Sequence, residues 1–195
     1  MSLLSSGIKP REKLRVQRIN CVNNLHQVNL ALRVWEEDNN NRYPMAVSVT
    51  NHGTMELIDT GNVAACFQSL SNQLVSPKIL VCPCDTQCVP ATNFTSDFNN
   101  SHVSYFLSPD ASETYPQMVL DGDDNLAVND VPVQPGILAI TNPATISFTA
   151  TRHINVGNIG YADGSASEVS TLGLQNALAY ATNGTPFATN RLAIP

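Results

Sequence analysis

The sequence is short of charge. Asp, Glu, Lys and Arg make up 13% of its 195 residues, about half the ~25% usual in globular domains. Solubility must rest on uncharged polar side chains, and Asn, Ser and Thr fill that role. Such a surface suits an extracellular or periplasmic protein. Aromatic residues reach only 6%, which disfavours carbohydrate binding by ring stacking. No run of about 18 apolar residues exists, so no segment reads as a membrane span. Met1 to Ile8 is too short for a signal peptide, and the basic residues follow the apolar ones instead of preceding them. No export signal is therefore expected in these residues. A nucleophile elbow, an H-E-x-x-H pair, a Walker loop and a dinucleotide glycine motif are all missing, and no internal repeat occurs.

What charge there is lies unevenly. Five of the ten basic residues, Lys9, Arg11, Lys13, Arg15 and Arg18, fall within the first 18 positions against the single acid Glu12, a local net charge of +4. The rest of the chain carries 15 acids against 5 bases, or −10, and the whole stands at −6. That balance argues against a general nucleic-acid binder. The basic stretch reads either as a solvated helix face or as an arm lying near anionic lipid head groups or an acidic neighbour. The length suits one domain, residues 1–195, with room for a hydrophobic core.

Val16, Ile19, Val22, Leu25, Val28, Leu32 and Trp35 recur at steps of three or four, with Ala31 widening the stripe. This predicts an amphipathic helix over about 10–38, roughly 40 Å long. Pro10 suits its first turn, and Asp38-Asn39-Asn40-Asn41 followed by Tyr43-Pro44 ends it. The expected core residues are Ile19, Leu25, Val28, Leu32 and Trp35. After Pro44, short strand-like pieces are predicted at 46–50, 79–82, 103–107, 137–140, 146–150, 157–162 and 165–169, separated by Asn-, Gly-, Asp- and Pro-rich turns. Short helices are predicted over 63–74, capped by Asn62, and over 172–180, capped by Thr171. Asp163-Gly164 between apolar flanks predicts a type I′ hairpin. One long helix followed by a meander of strands indicates an α+β fold, with helices on one face of an antiparallel sheet.

Five cysteines are present: Cys21, Cys66, Cys82, Cys84 and Cys88. In a reducing cytosol they would be thiols or metal ligands; in an oxidising compartment they would form two bridges and leave one over. The C-x-C-x3-C run at 82–88 is not the C-x2-C of common zinc sites, and no second ligand pair follows at a matching spacing. Disulfides are favoured over metal on that ground. The histidines, His26, His52, His102 and His153, are too scattered for a helical metal pair. His153, Asn155, Asn158 and Asp163 could converge across a hairpin, but Asn and Asp more commonly hold tight turns through side-chain-to-backbone hydrogen bonds. Asp121, Asp123, Asp124, Asn125 and Asp130 offer the hard oxygens that calcium takes. Their order is not that of an EF-hand, and the favoured reading is a solvated acidic loop.

Taken in order along the chain, these pieces resemble bacterial prepilin-like proteins. Cys21-Val22-Asn23-Asn24-Leu25-His26-Gln27-Val28-Asn29-Leu30-Ala31 is similar to the family's C-x-N-N-L-K-Q-I-x-L-A segment. Asp38-Asn39-Asn40-Asn41-Arg42-Tyr43-Pro44 resembles its DNNxRFP helix exit. Leu80-Val81-Cys82-Pro83-Cys84-Asp85 resembles its lvCPsD strand, and the stretch from His153 to Ser165 resembles its HxxxGNvxxADGS hairpin. Asn190-Arg191-Leu192-Ala193-Ile194-Pro195 is similar to the family's tail. The matches run from about residue 11 to 195.

The resemblance implies a type IV pilin-like fold and a structural, non-catalytic role without a cofactor: a pseudopilin-like subunit of a type II secretion or type IV pilus-like assembly. The implied partners are other pilin-like subunits and secretion-machine proteins. In the family an apolar half-helix precedes the segment matched here, so the expectation is a periplasmic or envelope protein anchored in the inner membrane, with the basic arm at its outer face. Some secretion pseudopilins bind calcium in a loop, which keeps Asp121, Asp123, Asp124 and Asn125 as a candidate set. Cys21 and Cys82 both match the family pattern, the first beside the helix stripe and the second at the end of a predicted strand, so a Cys21–Cys82 disulfide is expected. Cys66, Cys84 and Cys88 fall outside the pattern. Two rival functions are an extracellular module that captures a secreted or surface ligand, and a small hydrolase using His153 and Asp163.

Overall fold

The computed structural model describes residues 10–195 except Ser96, and it leaves out the side-chain surroundings of residues 10, 11 and 13. The leading helix, α1, spans Pro10–Glu37. It stops where Asn40 and Asn41 take left-handed conformations, φ 59° and 55°, which asparagine tolerates better than most residues. The freed carbonyls are taken up locally: Asn39 Nδ2 donates to Trp35 O at 2.7 Å, and Asn41 N donates to Glu36 O at 3.1 Å.

Two short helices follow, α2 (Met55–Ile58) and α3 (Val63–Ser69). Asn62 caps α3, accepting from Ala65 N at 3.1 Å. The remaining elements are β1 (Tyr105–Leu107), β2 (Val119–Asp123), β3 (Leu126–Val128), β4 (Val131–Pro132), β5 (Gly136–Ile140), β6 (Ile146–Phe148), β7 (Val156–Tyr161), β8 (Ala166–Ser170), α4 (Thr171–Gly184) and β9 (Asn190–Ile194). Six strands form a wholly antiparallel sheet in the order β5-β9-β1-β2-β7-β8, and β4-β3-β6 form a second, smaller one. The α+β class and the antiparallel sheet behind a long N-terminal helix are thus present.

Several local expectations are corrected. Residues 46–50 and 79–82 are not strands. Short 3-10 helices occupy Pro44–Ala46, Val49–Asn51 and Pro77–Leu80, started by proline or by serine caps at Ser48 and Ser76. Helix α3 ends at Ser69, short of residue 74, and α4 is capped by Ser170, whose Oγ accepts from Gly173 N at 3.2 Å. The β7–β8 turn is not type I′. Of its two central residues only Gly164 has positive φ, at 88°, and Gly164 N donates to Tyr161 O at 2.9 Å. That is a three-residue loop, Ala162 to Gly164, closed by a left-handed glycine.

The helices do not share one face of the sheet. Along β7, Asn158 and Gly160 face α1, while Ile159 between them packs with α4 residues Leu174 and Leu178. Along β9, Ala193 joins the α1 core of Val28, Leu32 and Trp35, whereas Leu192 and Ile194 join the α4 core. The period-2 alternation of a strand puts these sets on opposite sides, so α1 and α4 sandwich the sheet. The small sheet adds Leu126, Ile146 and Phe148 to the α4 side.

On α1, Cys21, Leu25, Val28 and Leu32 are 0% exposed and Trp35 6%. Ile19, expected in the core, is 51% exposed. The cause is rotation. Three-residue steps fall about 60° short of a full turn, so the run Val16, Ile19, Val22, Leu25 winds around the helix instead of staying on one side.

Candidate functional site

The sheet-facing side of α1 carries more than apolar residues. Cys21, the first fully buried one among the described side chains of the helix, meets three side chains from distant segments: Cys82 after a 3-10 turn, Asp123 at the end of β2 and His153 just before β7. One ligand-type atom from each lies within 4.8 Å of the others. Cys21 Sγ is 3.2 Å from Asp123 Oδ1 and 3.4 Å from Tyr105 Oη. Cys82 Sγ is 3.2 Å from His153 Nε2, which in turn is 3.3 Å from Asp123 Oδ2. Asn158 orients the carboxylate, donating from both its backbone N and its Nδ2 to Asp123 Oδ2 at 2.8 Å. Cys84 N donates to Cys82 Sγ at 3.5 Å. The four side chains are sealed: His153 is 3% exposed and the other three 0%.

Strand β2 reaches this point through an irregularity. Its register with β7 shifts between Val119 and Asp121, so that Leu120 joins the α1 core while Asp121 and Asp123 still turn toward the helix. A β-bulge does this by inserting one residue without a partner. Asp121 lies against Gly160 and Asn29, where its Oδ1 would sit 2.1 Å from any Cβ added at Gly160. Asp121 and Asn29 are both 0% exposed.

The electrostatics follow from burial and crowding. Burial, with a contribution from the Asp123 charge, holds Cys21 far above the usual thiol range. Cys82 goes the other way, down to about 6, because a hydrogen bond from Cys21 and the contact with His153 outweigh burial. Burial works to lower the His153 imidazole, but its hydrogen bonds with Asp123 and Cys82 overcome that and push it up to about 9. Asp121 is pushed well above the carboxylate range by burial and by the neighbouring Asp123 charge.

Beside the cluster, Arg152 pairs with Asp85 at 2.6 Å and with Asp124 at 2.5 Å, and donates to Ser104 O at 2.9 Å. Burial opposes ionisation of both acids. For Asp85, Arg152 and the backbone donors of Gln87 and Cys88 win, and its pKa falls; for Asp124 burial prevails, and its pKa rises to about 7.

The candidate calcium set is divided. The stretch 121–130 is β2, a two-residue link and β3, and only its end, the turn at Asn129 and Asp130, is exposed. Asp121 and Asp123 face α1, Asp124 pairs with Arg152, and Asn125 Nδ2 donates to Thr149 O at 3.2 Å. Asp and Gly are poor strand formers, which hid β2 from a propensity reading.

The hydrolase pair is separated too. Asp163 holds its own turn, its Oδ1 accepting from Ser165 N at 2.8 Å and from Ser165 Oγ at 2.6 Å, while His153 belongs to the buried cluster. The expected Cys21–Cys82 bridge is not formed in this structure, where all five cysteines are free; the two sulfurs are nevertheless neighbours. Of the basic arm, Arg15 is exposed and Arg18 pairs with Glu168 at 3.4 Å; Lys9 and the side chains of Arg11 and Lys13 lie outside the described residues.

The outward side of α1 carries a second apolar stripe that sequence reading did not separate from the first. Val16, Ile19, Leu30 and Val34 are 51%, 51%, 63% and 41% exposed. At 3.6 residues per turn they share the side opposite Cys21, Leu25 and Leu32. Leu30 and Val34 border a groove whose far wall includes Val75, which is fully exposed. No helix among the described residues is long and apolar enough to cross a membrane. Comparison with known protein families, curated proteins and solved structures finds no match to this chain.

Proposed function

We propose that this protein is a structural, non-catalytic subunit of a type IV pilin-like assembly, of the pseudopilin kind, and that copies associate through the outward side of α1. The observation that carries the reading is the double-faced helix. One stripe of α1 is committed to the sheet, and the opposite one, Val16, Ile19, Leu30 and Val34, is apolar and exposed. An apolar helix stripe left uncovered is a surface awaiting a partner, and a second helix of the same kind fits it by ridge-and-groove packing. The motif resemblance supports the same role, with an inner-membrane anchor N-terminal to the segment described and the basic arm at the membrane surface. Binding of secretion-machine proteins would fall to the edges of the sheet and the loops.

The test is genetic and structural together. In the host, the gene is deleted and rescued with Ile19→Asp/Leu30→Asp, with Asp163→Ala, or with the unaltered gene. The proposal expects the double variant to fold with an unchanged melting temperature yet fail to restore a filament or a secreted product, and Asp163→Ala to restore it. Full rescue by the double variant would overturn the reading.

A further inference from the structure

We infer that Cys21, Cys82, Asp123 and His153 form a structural site for one tetrahedral, thiolate-preferring divalent cation of the zinc class, which ties α1 to the sheet at the point where the helix leaves the body. This inference does not depend on the assembly role proposed above.

The donor set comes first. Two sulfurs, an imidazole nitrogen and a carboxylate oxygen are all accepted zinc ligands, and four protein ligands with no open position is the structural arrangement. Two thiolates select against calcium and magnesium, which take oxygen. Geometry agrees. Zinc bond lengths of 2.0–2.3 Å at tetrahedral angles give ligand-to-ligand edges of about 3.3–3.8 Å, about 3.5 Å between a sulfur and a nitrogen or oxygen. Two of the six edges, Cys21 Sγ to Asp123 Oδ1 and Cys82 Sγ to His153 Nε2, are both 3.2 Å, about 0.3 Å short of a sulfur-to-nitrogen or sulfur-to-oxygen edge, and all four ligand atoms lie within 4.8 Å of one another.

The surroundings are those of a supported site. Asn158 saturates Asp123 Oδ2 with two donors, leaving Oδ1 for the metal. Tyr105 Oη lies 3.4 Å from Cys21 Sγ, and Cys84 N donates to Cys82 Sγ, contacts that stabilise thiolates. Outer partners of this kind fix ligand orientation. His153 Nδ1 has no hydrogen-bond partner among the described residues, so Nε2, facing the other three, is the nitrogen that would bind.

Burial completes the argument. The four groups come from four segments far apart in the chain, and all are removed from water. Gathering two thiols, a carboxylate and an imidazole in a dry place is costly unless they are mutually neutralised. A divalent cation does that for two thiolates and a carboxylate, reducing their summed charge from −3 to −1. Binding displaces the thiol protons to solvent and couples the metal to folding. A Cys21–Cys82 disulfide would instead use two of the four groups and leave Asp123 and His153 as an isolated buried pair.

The full chain is produced with a thiol reductant, stripped with chelator, reloaded with Zn2+ or Co2+ and desalted. The expected result is one metal per chain by mass spectrometry of the elements, and visible Co2+ bands of tetrahedral thiolate coordination. X-ray absorption of the zinc form should give a first shell of two sulfurs and two lighter atoms, a reading that needs no variant. Cys82→Ser should lose the metal, the Cys84→Ser/Cys88→Ser double variant should keep it, and Asn158→Ala should weaken binding about 10–100-fold. Substoichiometric metal after reloading, a shell without sulfur, retention by Cys82→Ser, or a Cys21–Cys82 disulfide mapped in protein isolated without reductant would each overturn the inference.

Discussion

The two sides of α1 are built from the same residue types and meet opposite fates. Toward the sheet, Leu25, Val28 and Leu32 vanish from solvent; away from it, Ile19, Leu30 and Val34 stay exposed. The inward side also takes in groups that a hydropathy pattern would send outward: Asn29 and Glu36 are at most 1% exposed. Hydrophobicity alone therefore does not say which side of this helix is the core. Position on the helical wheel does. Asn29 lies four residues after Leu25, and Glu36 four after Leu32, so both share the buried face whatever their polarity.

If that contrast is right, the sharpest way to break it is at Leu32. Its side chain is 0% exposed within the core shared with Val28, Trp35, Leu120 and Ala193. Leu32→Ala should cost about 2–5 kcal/mol, read by denaturant unfolding. A loss as small as that of a surface change would mean that α1 is not packed on the sheet as described.

The seam between helix and sheet should be nearly as unforgiving at Gly160. A Cβ there would meet Asp121 Oδ1 at 2.1 Å and Asn29 Nδ2 at 2.3 Å, and both side chains are buried with nowhere to retreat. Gly160→Ala should destabilise by roughly 3 kcal/mol, the upper end for overpacking. The same change at the half-buried turn glycine Gly164 adds backbone strain, because its φ is 88°, and the new Cβ would also meet Arg33 Cδ at 2.8 Å. Gly164→Ala should leave the buried cysteines as protected from alkylation in the folded state as they are in the unaltered protein.

Glu36 gives the contrast a pH axis. It is 1% exposed, faces Tyr43 and Glu113, and lies near Arg33, which pairs with Glu113 at 2.8 Å. Burial, then the hydrogen bond with Glu113, pushes its pKa up to about 7. The unfolded chain ionises this group near about 4.3, so the folded state holds the proton more tightly. The resulting stability is fully present below about pH 4.3 and is lost as pH rises through about 7, on the order of 3–4 kcal/mol in all. Glu36→Gln should flatten that part of the stability profile and leave the variant the more stable form at pH 8. An unchanged slope between pH 5 and 7 would show that Glu36 ionises freely in the folded protein.

Much of this was legible in the sequence, and the limits were physical. The 3.6-residue period located α1, and Asn39 to Asn41 marked its end, because both are local properties of the chain. The strand before Asp163-Gly164 and the strand after it were read from alternation. Strand β2 was not, since Asp121, Gly122 and Asp123 carry the composition of a loop and become a strand only between β1 and β7. The buried cluster left no local mark at all. Cys21 and Cys82 drew attention as a disulfide pair, Asp123 as a calcium ligand and His153 as a hydrolase residue. Only the order of strands β1-β2-β7 beneath α1 brings them to one point. Cys21, Cys82 and His153 lie within stretches that match the motif pattern, whereas Asp123 lies in none of them.

The smallest expected effect on stability is the one that tests the outward side. Ile19 is 51% exposed on a face that meets nothing else in the chain's core, so Ile19→Ser should change the unfolding free energy by less than about 0.5 kcal/mol. Its cost should appear elsewhere. If copies meet through Val16, Ile19, Leu30 and Val34, then at high protein concentration the unaltered chain should self-associate, and Ile19→Ser should weaken that association while the melting curve stays put. Sedimentation velocity over a concentration series, on both proteins, separates the two quantities. Equal weak association by both would place the contact surface away from this stripe. A large fall in stability in Ile19→Ser would return Ile19 to the core, and with it the single-stripe helix that the spacing of residues 16–35 first suggested.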